Sequence, residues 1–182
     1  MRRRDTPSTY GAMSRLNHWV GALLVLAMLG IGLVFPDLPP GAEKVFLRTL
    51  HVALGTILLP LLLWRLVWRM RPSALRPLAQ ARALGALARL VHGLLLLGLV
   101  GMLVTGVLTQ WFGGRPIGVF ELVRFTSPLA PSELWQERME QLHGIIAWTM
   151  IGLVALHLLG VIKHSLIDGG ALWGRMAGRA RR

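Results

Sequence analysis

The stretch HGIIAWTMIGLVALHLLGVIKH, from His143 to His164, decides the fold class of this chain. It is almost wholly apolar, yet it carries histidines at positions 143, 157 and 164. Because a helix rises about 1.5 Å per residue, His143 and His157 lie about 21 Å apart along its axis and leave on nearly the same face. Polar groups are costly inside a bilayer, so a functional role is the first hypothesis for both side chains. The alternative is that they only form hydrogen bonds with neighbouring helices.

The composition indicates an integral membrane protein. The chain has 182 residues, of which 54% are hydrophobic, and its mean hydropathy of +0.57 is too high for an ordinary soluble domain. Residues 1–182 are predicted to form one domain. The net charge of +12 does not predict nucleic-acid binding, because no basic patch lies on a soluble element. The absence of cysteine excludes disulfides, thiolate-ligated iron–sulfur clusters and covalently attached c-type haem.

Four apolar runs predict an all-α, transmembrane four-helix bundle. The predicted spans are approximately residues 16–35, 50–70, 90–112 and 142–164. Pro60 is expected to kink the second span, which membrane bundles tolerate. The longest loop, residues 113–141, is predicted to hold a short surface helix over residues 132–141, with Ser132 as its N-terminal cap.

The basic residues predict the orientation in the membrane. Four lie in the N-terminal arm, six in the linker after span two and five in the tail, which makes fifteen on one side and leaves five in the other two loops. Acidic residues are distributed the other way, with two on the first side and six on the second. Because cytoplasmic loops carry the excess of Lys and Arg, both termini are predicted to be cytoplasmic and the protein to be a multi-pass protein of the bacterial inner membrane.

This topology places the histidines at two depths. His51 and His143 share the outer level, and His18 and His157 share the inner level, where His92 is a competitor. Two histidines that face each other across a bundle can supply both axial ligands of a haem. Zinc fits less well, because its ligands cluster in one small shell.

Glycines accompany three of these histidines in the sequence. Gly21 follows His18, Gly55 follows His51, and Gly144 follows His143. They could give a flat macrocycle room against the backbone. The alternative is that small residues only allow close packing of membrane helices.

The chain resembles the bacterial cytochrome b561 family of four-helix, di-haem membrane cytochromes from about residue 14 to residue 176. The resemblance rests on the order of the histidines and the segments around them: His18-Trp19, His51 with Gly55, Arg65-Leu66-Val67-Trp68-Arg69, His92, His143, His157, Lys163-His164, and Leu172 with Arg175-Met176.

This resemblance implies two b haems, bound by the pairs placed at each depth, and electron exchange with ubiquinone. Some members resemble a superoxide oxidase, which takes an electron from superoxide at the outer face and reduces quinone, so we expect electron transfer of the superoxide:quinone oxidoreductase type. Others are cytochrome subunits that anchor a periplasmic dehydrogenase. The remaining alternative is a haem-free membrane scaffold. No catalytic side chain is assigned.

Several further residues are candidates for contact with the cofactors. Arg15 and Arg65 inside, and Arg48 outside, are candidate partners of haem propionates through charge-assisted hydrogen bonds. His92 is a candidate contact of a haem or quinone, with a headgroup-facing role as the alternative, and His164 is predicted to be interfacial. Four basic residues of the outer loops are predicted to focus superoxide on the outer haem: Lys44, Arg48, Arg115 and Arg124.

Overall fold

The computed structural model describes residues 5–69, 82–120, 122–167 and 174–176. It confirms the predicted four-helix bundle, because four helices in these ranges are long and apolar enough to cross a membrane. The helices are α1 (Ala12–Val34), α2 (Ala42–Arg69), α3 (Arg82–Phe112) and α4 (Glu133–Leu166), with a 3-10 turn at Phe35–Asp37 after α1. Of the predicted basic linker between spans two and three, residues 70–81 lie outside the described residues, whereas Arg82 and Arg89 belong to α3. Leu172 and most of the basic tail also lie outside the described residues.

The helices extend beyond the apolar runs that predicted them. α4 begins at Glu133, where the Ser132 side chain accepts a hydrogen bond from the backbone N–H of Trp135, so Ser132 is the predicted cap. The short surface helix expected over residues 132–141 is therefore the first part of α4 and not a separate element, since nothing in that stretch interrupts the helix. α2 continues through Pro60.

The helices pack as two pairs, α1 with α2 and α3 with α4. Two glycines of α3 bring the second pair close together. A Cβ atom on Gly98 would overlap the Sδ of Met150, and one on Gly101 would lie 3.0 Å from Ile146. Met150 is only 2% exposed, so this seam is tightly packed and fixes which face of α4 turns toward the first pair.

Most of the remaining apolar surface faces outward. Large side chains on all four helices are exposed, among them Leu23, Leu63, Leu97 and Leu159. A lipid environment accounts for this exposure, because acyl chains solvate such side chains as well as a protein core does.

The loop between α3 and α4 lies at the end of the bundle that carries His51 and His143, which is called the outer end below. This loop contains a small hairpin, which the all-α prediction did not include. Its strands are β1 (Ile117–Val119) and β2 (Val123–Phe125), paired antiparallel with Ile117 opposite Phe125. Ile117 is buried and β1 packs against α2, so the hairpin is held to the outer end of the bundle.

The end of the bundle that carries His18 and His157 also holds Tyr10, from before α1, and Arg175, from after α4. The backbone N–H of Tyr10 donates to the carbonyl of Arg175 at 3.2 Å. An even number of spans requires this arrangement, since each pair of crossings returns the chain to the side from which it began.

Candidate haem sites

Two histidines from different helix pairs meet at the outer level. His51 of α2 and His143 of α4 have ring centroids 6.2 Å apart, with an angle of 74° between the ring planes. These are the two residues that depth alone placed together in the sequence.

Three histidines meet at the inner level. The ring centroid of His157 lies 6.4 Å from that of His18 and 5.3 Å from that of His92. His157 is therefore flanked by both of the partners that the sequence left open.

The ring spacings discriminate between these partners. A nitrogen bound to a metal lies about 2 Å from it and about 1.1 Å from its own ring centre, so two imidazoles on opposite sides of one iron have ring centres about 6.3 Å apart. The 6.2 Å and 6.4 Å pairs match this spacing. The 5.3 Å pair is too close for a shared iron in a straight arrangement. His18 thus fits as the partner of His157, and His92 lies beside this pair.

Comparison with known proteins identifies the family of this chain. The pattern of prokaryotic cytochrome b561 matches residues 9–179. The chain belongs to the prokaryotic cytochrome b561 family. It is a membrane protein that binds haem b and transfers electrons. It is also similar to "cytochrome b561 homolog 2" of Escherichia coli (strain K12), with 29% identity over 180 residues that cover 97% of this chain and 95% of the relative.

Thr105 orients the outer histidine of this cytochrome. Its hydroxyl donates to the carbonyl of Gly101 at 2.7 Å, and its oxygen lies 2.9 Å from Nδ1 of His143. Because the single hydroxyl proton is committed to the carbonyl, the oxygen accepts from Nδ1–H, which leaves Nε2 of His143 with its lone pair. This is the state that an axial ligand requires, and such a bond fixes both tautomer and ring direction.

The other histidine of the outer pair, His51, is held by packing. Nδ1 of His51 is buried and has no hydrogen-bond partner among the described residues. A Cβ on Gly32 would lie 3.2 Å from Cε1 of His51, and a Cβ on Gly106 would lie 3.3 Å from Cε1 of His143. Both rings therefore press against glycines, and a larger residue at either position would displace a ligand.

The glycines expected beside the histidines have other neighbours. A Cβ on Gly21 would meet the guanidinium of Arg65, and one on Gly55 would meet Met28. At Gly144 no neighbouring atom lies within 4 Å among the described residues.

The predicted arginines lie near the two levels. At the inner level Arg65 donates to the backbone and side-chain oxygens of Asn17, both at 3.4 Å, next to His18. Arg15 lies one helical turn before His18 on α1. At the outer level Arg48 donates to Oε1 of Gln110 at 3.3 Å.

A groove of about 420 Å³ lies on α2 near the inner level. It is lined by Pro60, Leu63, Trp64, Val67 and Trp68. The two indole rings are nearly parallel, with centroids 5.9 Å apart, and Nε1 of Trp68 donates to Oγ of Ser14 at 2.9 Å. The groove thus adjoins the turn of α1 that precedes His18.

Thr105 and Gln110 lie at the outer site although the sequence did not predict them there. The available signal was their polarity inside or at the end of an apolar span, where such side chains are expected to have a partner.

Proposed function

We propose that this cytochrome binds two b haems and passes electrons to or from ubiquinone. His51 and His143 are the axial ligands of the outer haem, and His18 and His157 those of the inner haem. The observation that carries this proposal is the pair of cross-bundle spacings, 6.2 Å and 6.4 Å, at two levels of one bundle.

The proposed histidine ligands determine which chemistry each haem site favours. Haem iron, when bound, supplies a one-electron carrier. Two imidazoles fill both axial positions, so they favour outer-sphere electron transfer over oxygen binding. Because His143 and His157 lie about 21 Å apart on one helix, the two sites lie at the two ends of a transmembrane path.

The test is a reduced-minus-oxidised absorbance spectrum of the purified protein, with haem quantified per chain. We expect two low-spin b haems per chain. Alanine replacement of any of the four proposed ligands should remove one haem. Replacement of His92 or His164 is the matched control and should leave two. One haem in the wild-type protein, or loss of the inner haem in His92→Ala but not in His18→Ala, would contradict the assignment.

We propose superoxide as the electron donor at the outer face, with both termini cytoplasmic. The charge distribution of the sequence supports this orientation, and two arginines at the outer end of the bundle, Arg48 of α2 and Arg115 of the following loop, converge on Gln110. Lys44 does not join these two arginines, because its Nζ donates to the carbonyls of Pro36 and Leu38. Superoxide-driven quinone reduction should slow with rising ionic strength. A rate independent of salt would contradict electrostatic focusing of this donor.

The hairpin supports a second candidate function, a cytochrome subunit that accepts electrons from a periplasmic dehydrogenase. Phe120, Leu122 and Phe125 are exposed at the outer end, and Leu122 is 84% exposed. Apolar patches of this kind occur at protein interfaces. A partner that co-purifies stoichiometrically, together with no turnover of superoxide, would favour this function over superoxide oxidation.

We place the quinone in the groove beside Trp64 and Trp68. Its apolar lining and parallel indoles suit a flat ring with a long isoprenoid tail, and Pro60 leaves the carbonyl of Thr56 without its usual helical donor. A quinol hydroxyl could donate to that carbonyl. Trp64→Ala should raise the KM for quinone, whereas Leu97→Ala, another exposed apolar position, should not; equal effects would exclude the groove.

A further inference from the structure

Two arginines share one neutral oxygen at the outer end of the bundle. Arg48 donates from Nη2 to Oε1 of Gln110 at 3.3 Å, and Arg115 donates from Nε to the same oxygen at 3.1 Å. One amide oxygen cannot neutralise two guanidinium groups. Neither arginine forms an ion pair with a carboxylate in the part of the chain that the structure describes.

The backbone conformation of residues 110–115 positions the Arg115 side chain beside Gln110. The N–H of Arg115 donates to the carbonyl of Gln110 at 2.9 Å, which closes a turn through Gly113 and Gly114. Gly114 has a φ of +67°, and a Cβ on Gly113 would lie 2.7 Å from Cζ of Arg115. Glycine at both positions allows the guanidinium to fold back over the end of α3.

The close approach of the Arg48 and Arg115 guanidinium groups is electrostatically unfavourable. Burial and the neighbouring charge of Arg48 lower the pKa of Arg115, which the charge of Glu140 offsets in part. Like charges held together in a partly buried site are relieved by an anion between them.

The cluster lies directly outward of the outer histidine pair. Arg48 is one turn from His51 on α2, and Gln110 is one turn from Gly106, which faces His143. That offset is about 5 Å along the helices. A haem carries its two carboxylates on one edge, and a charged edge is more stable toward the membrane surface than in the hydrocarbon.

We infer that Arg48, Gln110 and Arg115 together form the binding site for a propionate carboxylate of the outer haem. This inference rests on the proposed function. It adds Gln110 and Arg115 to the site, and it assigns Gln110 the role of holding the two guanidinium groups at the spacing that a carboxylate bridges.

The experiment is a redox titration of both haems in the wild-type protein and in three variants. Arg115→Gln and Arg48→Gln each remove a charge that stabilises the ferrous state, so the midpoint potential of the outer haem should fall. Gln110→Glu places a competing carboxylate between the arginines and should lower this potential further. The potential of the inner haem should not change. The outer haem is identified as the one lost in His143→Ala.

Lys44→Gln is the matched control, because it removes one positive charge from the same face outside the cluster. It should leave the outer potential at the wild-type value. An equal shift in Lys44→Gln would overturn the inference, since a general surface field would then explain the result. An unchanged potential in Arg115→Gln and Gln110→Glu, with two haems bound, would show that the cluster only holds the loop.

Reconstitution with haem dimethyl ester distinguishes the haem carboxylate from a free anion. If the ligand is a propionate, Arg115→Gln should speed the loss of the outer haem but not the loss of its dimethyl ester. If the variant speeds the loss of haem and of ester equally, the arginines do not bind the propionate and the inference is wrong. A wild-type protein that binds no haem would overturn the proposed function as well, so the two failures are distinguishable.

Discussion

Replacing Thr105 by valine tests whether a side chain that never touches iron governs the outer site. Valine matches threonine in shape, and Thr105 is only 3% exposed, so the substitution removes the hydroxyl without opening a cavity. It also removes the acceptor 2.9 Å from Nδ1 of His143. The ring then loses this acceptor and keeps only its hydrogen bond with the backbone of Met102.

Two kinds of measured effect bound the loss of haem affinity that we expect. A hydrogen bond between neutral groups contributes about 0.5–1.5 kcal/mol to stability. Loss of the partner of a metal-bound histidine lowers metal affinity about 10–100-fold, or ~1.4–2.8 kcal/mol. The second range applies here, because His143 must hold one tautomer to bind iron. We therefore expect Thr105→Val to weaken retention of the outer haem by about 10–100-fold.

The assay is transfer of haem to an excess of a soluble haem acceptor, followed by absorbance, with each haem identified by its spectrum. Thr109→Val is the control, because the hydroxyl of Thr109 donates to the carbonyl of Thr105 at 2.8 Å and not to a histidine. It should release haem at the wild-type rate, and so should the inner site of Thr105→Val. Wild-type retention at the outer site in Thr105→Val would refute the role of this hydroxyl.

Two glycine substitutions test the packing around the site. Gly106→Ala should lower the haem content of the outer site, because the new methyl would lie 3.3 Å from Cε1 of His143; full haem content would show that the ring can yield. Gly98→Ala should destabilise the seam between α3 and α4 by about 1–3 kcal/mol, measured by thermal unfolding in detergent, because its methyl would overlap the buried Met150. Gly160→Ala, with no atom within 4 Å among the described residues, is the control for both and should unfold at or above the wild-type temperature.

The sequence could predict the depth of each histidine along the helices, but it could not predict how the helices pack side by side. A helix fixes how far along its axis each residue lies, so the sequence could place His51 level with His143 and leave both His18 and His92 open for His157. The choice between the last two needed the ring spacings, which depend on the rotation of each helix.

The glycines that touch the histidine rings could not be found from spacing along one helix. A glycine three or four residues after a histidine shares its helix face, but the histidine ring leans toward the N-terminus and therefore away from that glycine. Gly32 and Gly106 contact the outer histidines from other helices. The hairpin was missed for another reason, because its two strands of three residues are too short for a pattern of alternation to be detected.

The threonine hydroxyls in the membrane-spanning helices form two kinds of hydrogen bond. Those of Thr56 and Thr149 donate to the carbonyl four residues earlier, so each is satisfied within its own helix. The hydroxyl of Thr105 does the same, yet its oxygen also receives a bond from another helix, at a histidine. A threonine that only has to satisfy its own hydroxyl group does not need a hydrogen bond from another helix. The second bond thus marks Thr105 as part of a ligand site, and the same reasoning applies to Asn17, whose oxygens accept from Arg65 beside the inner pair.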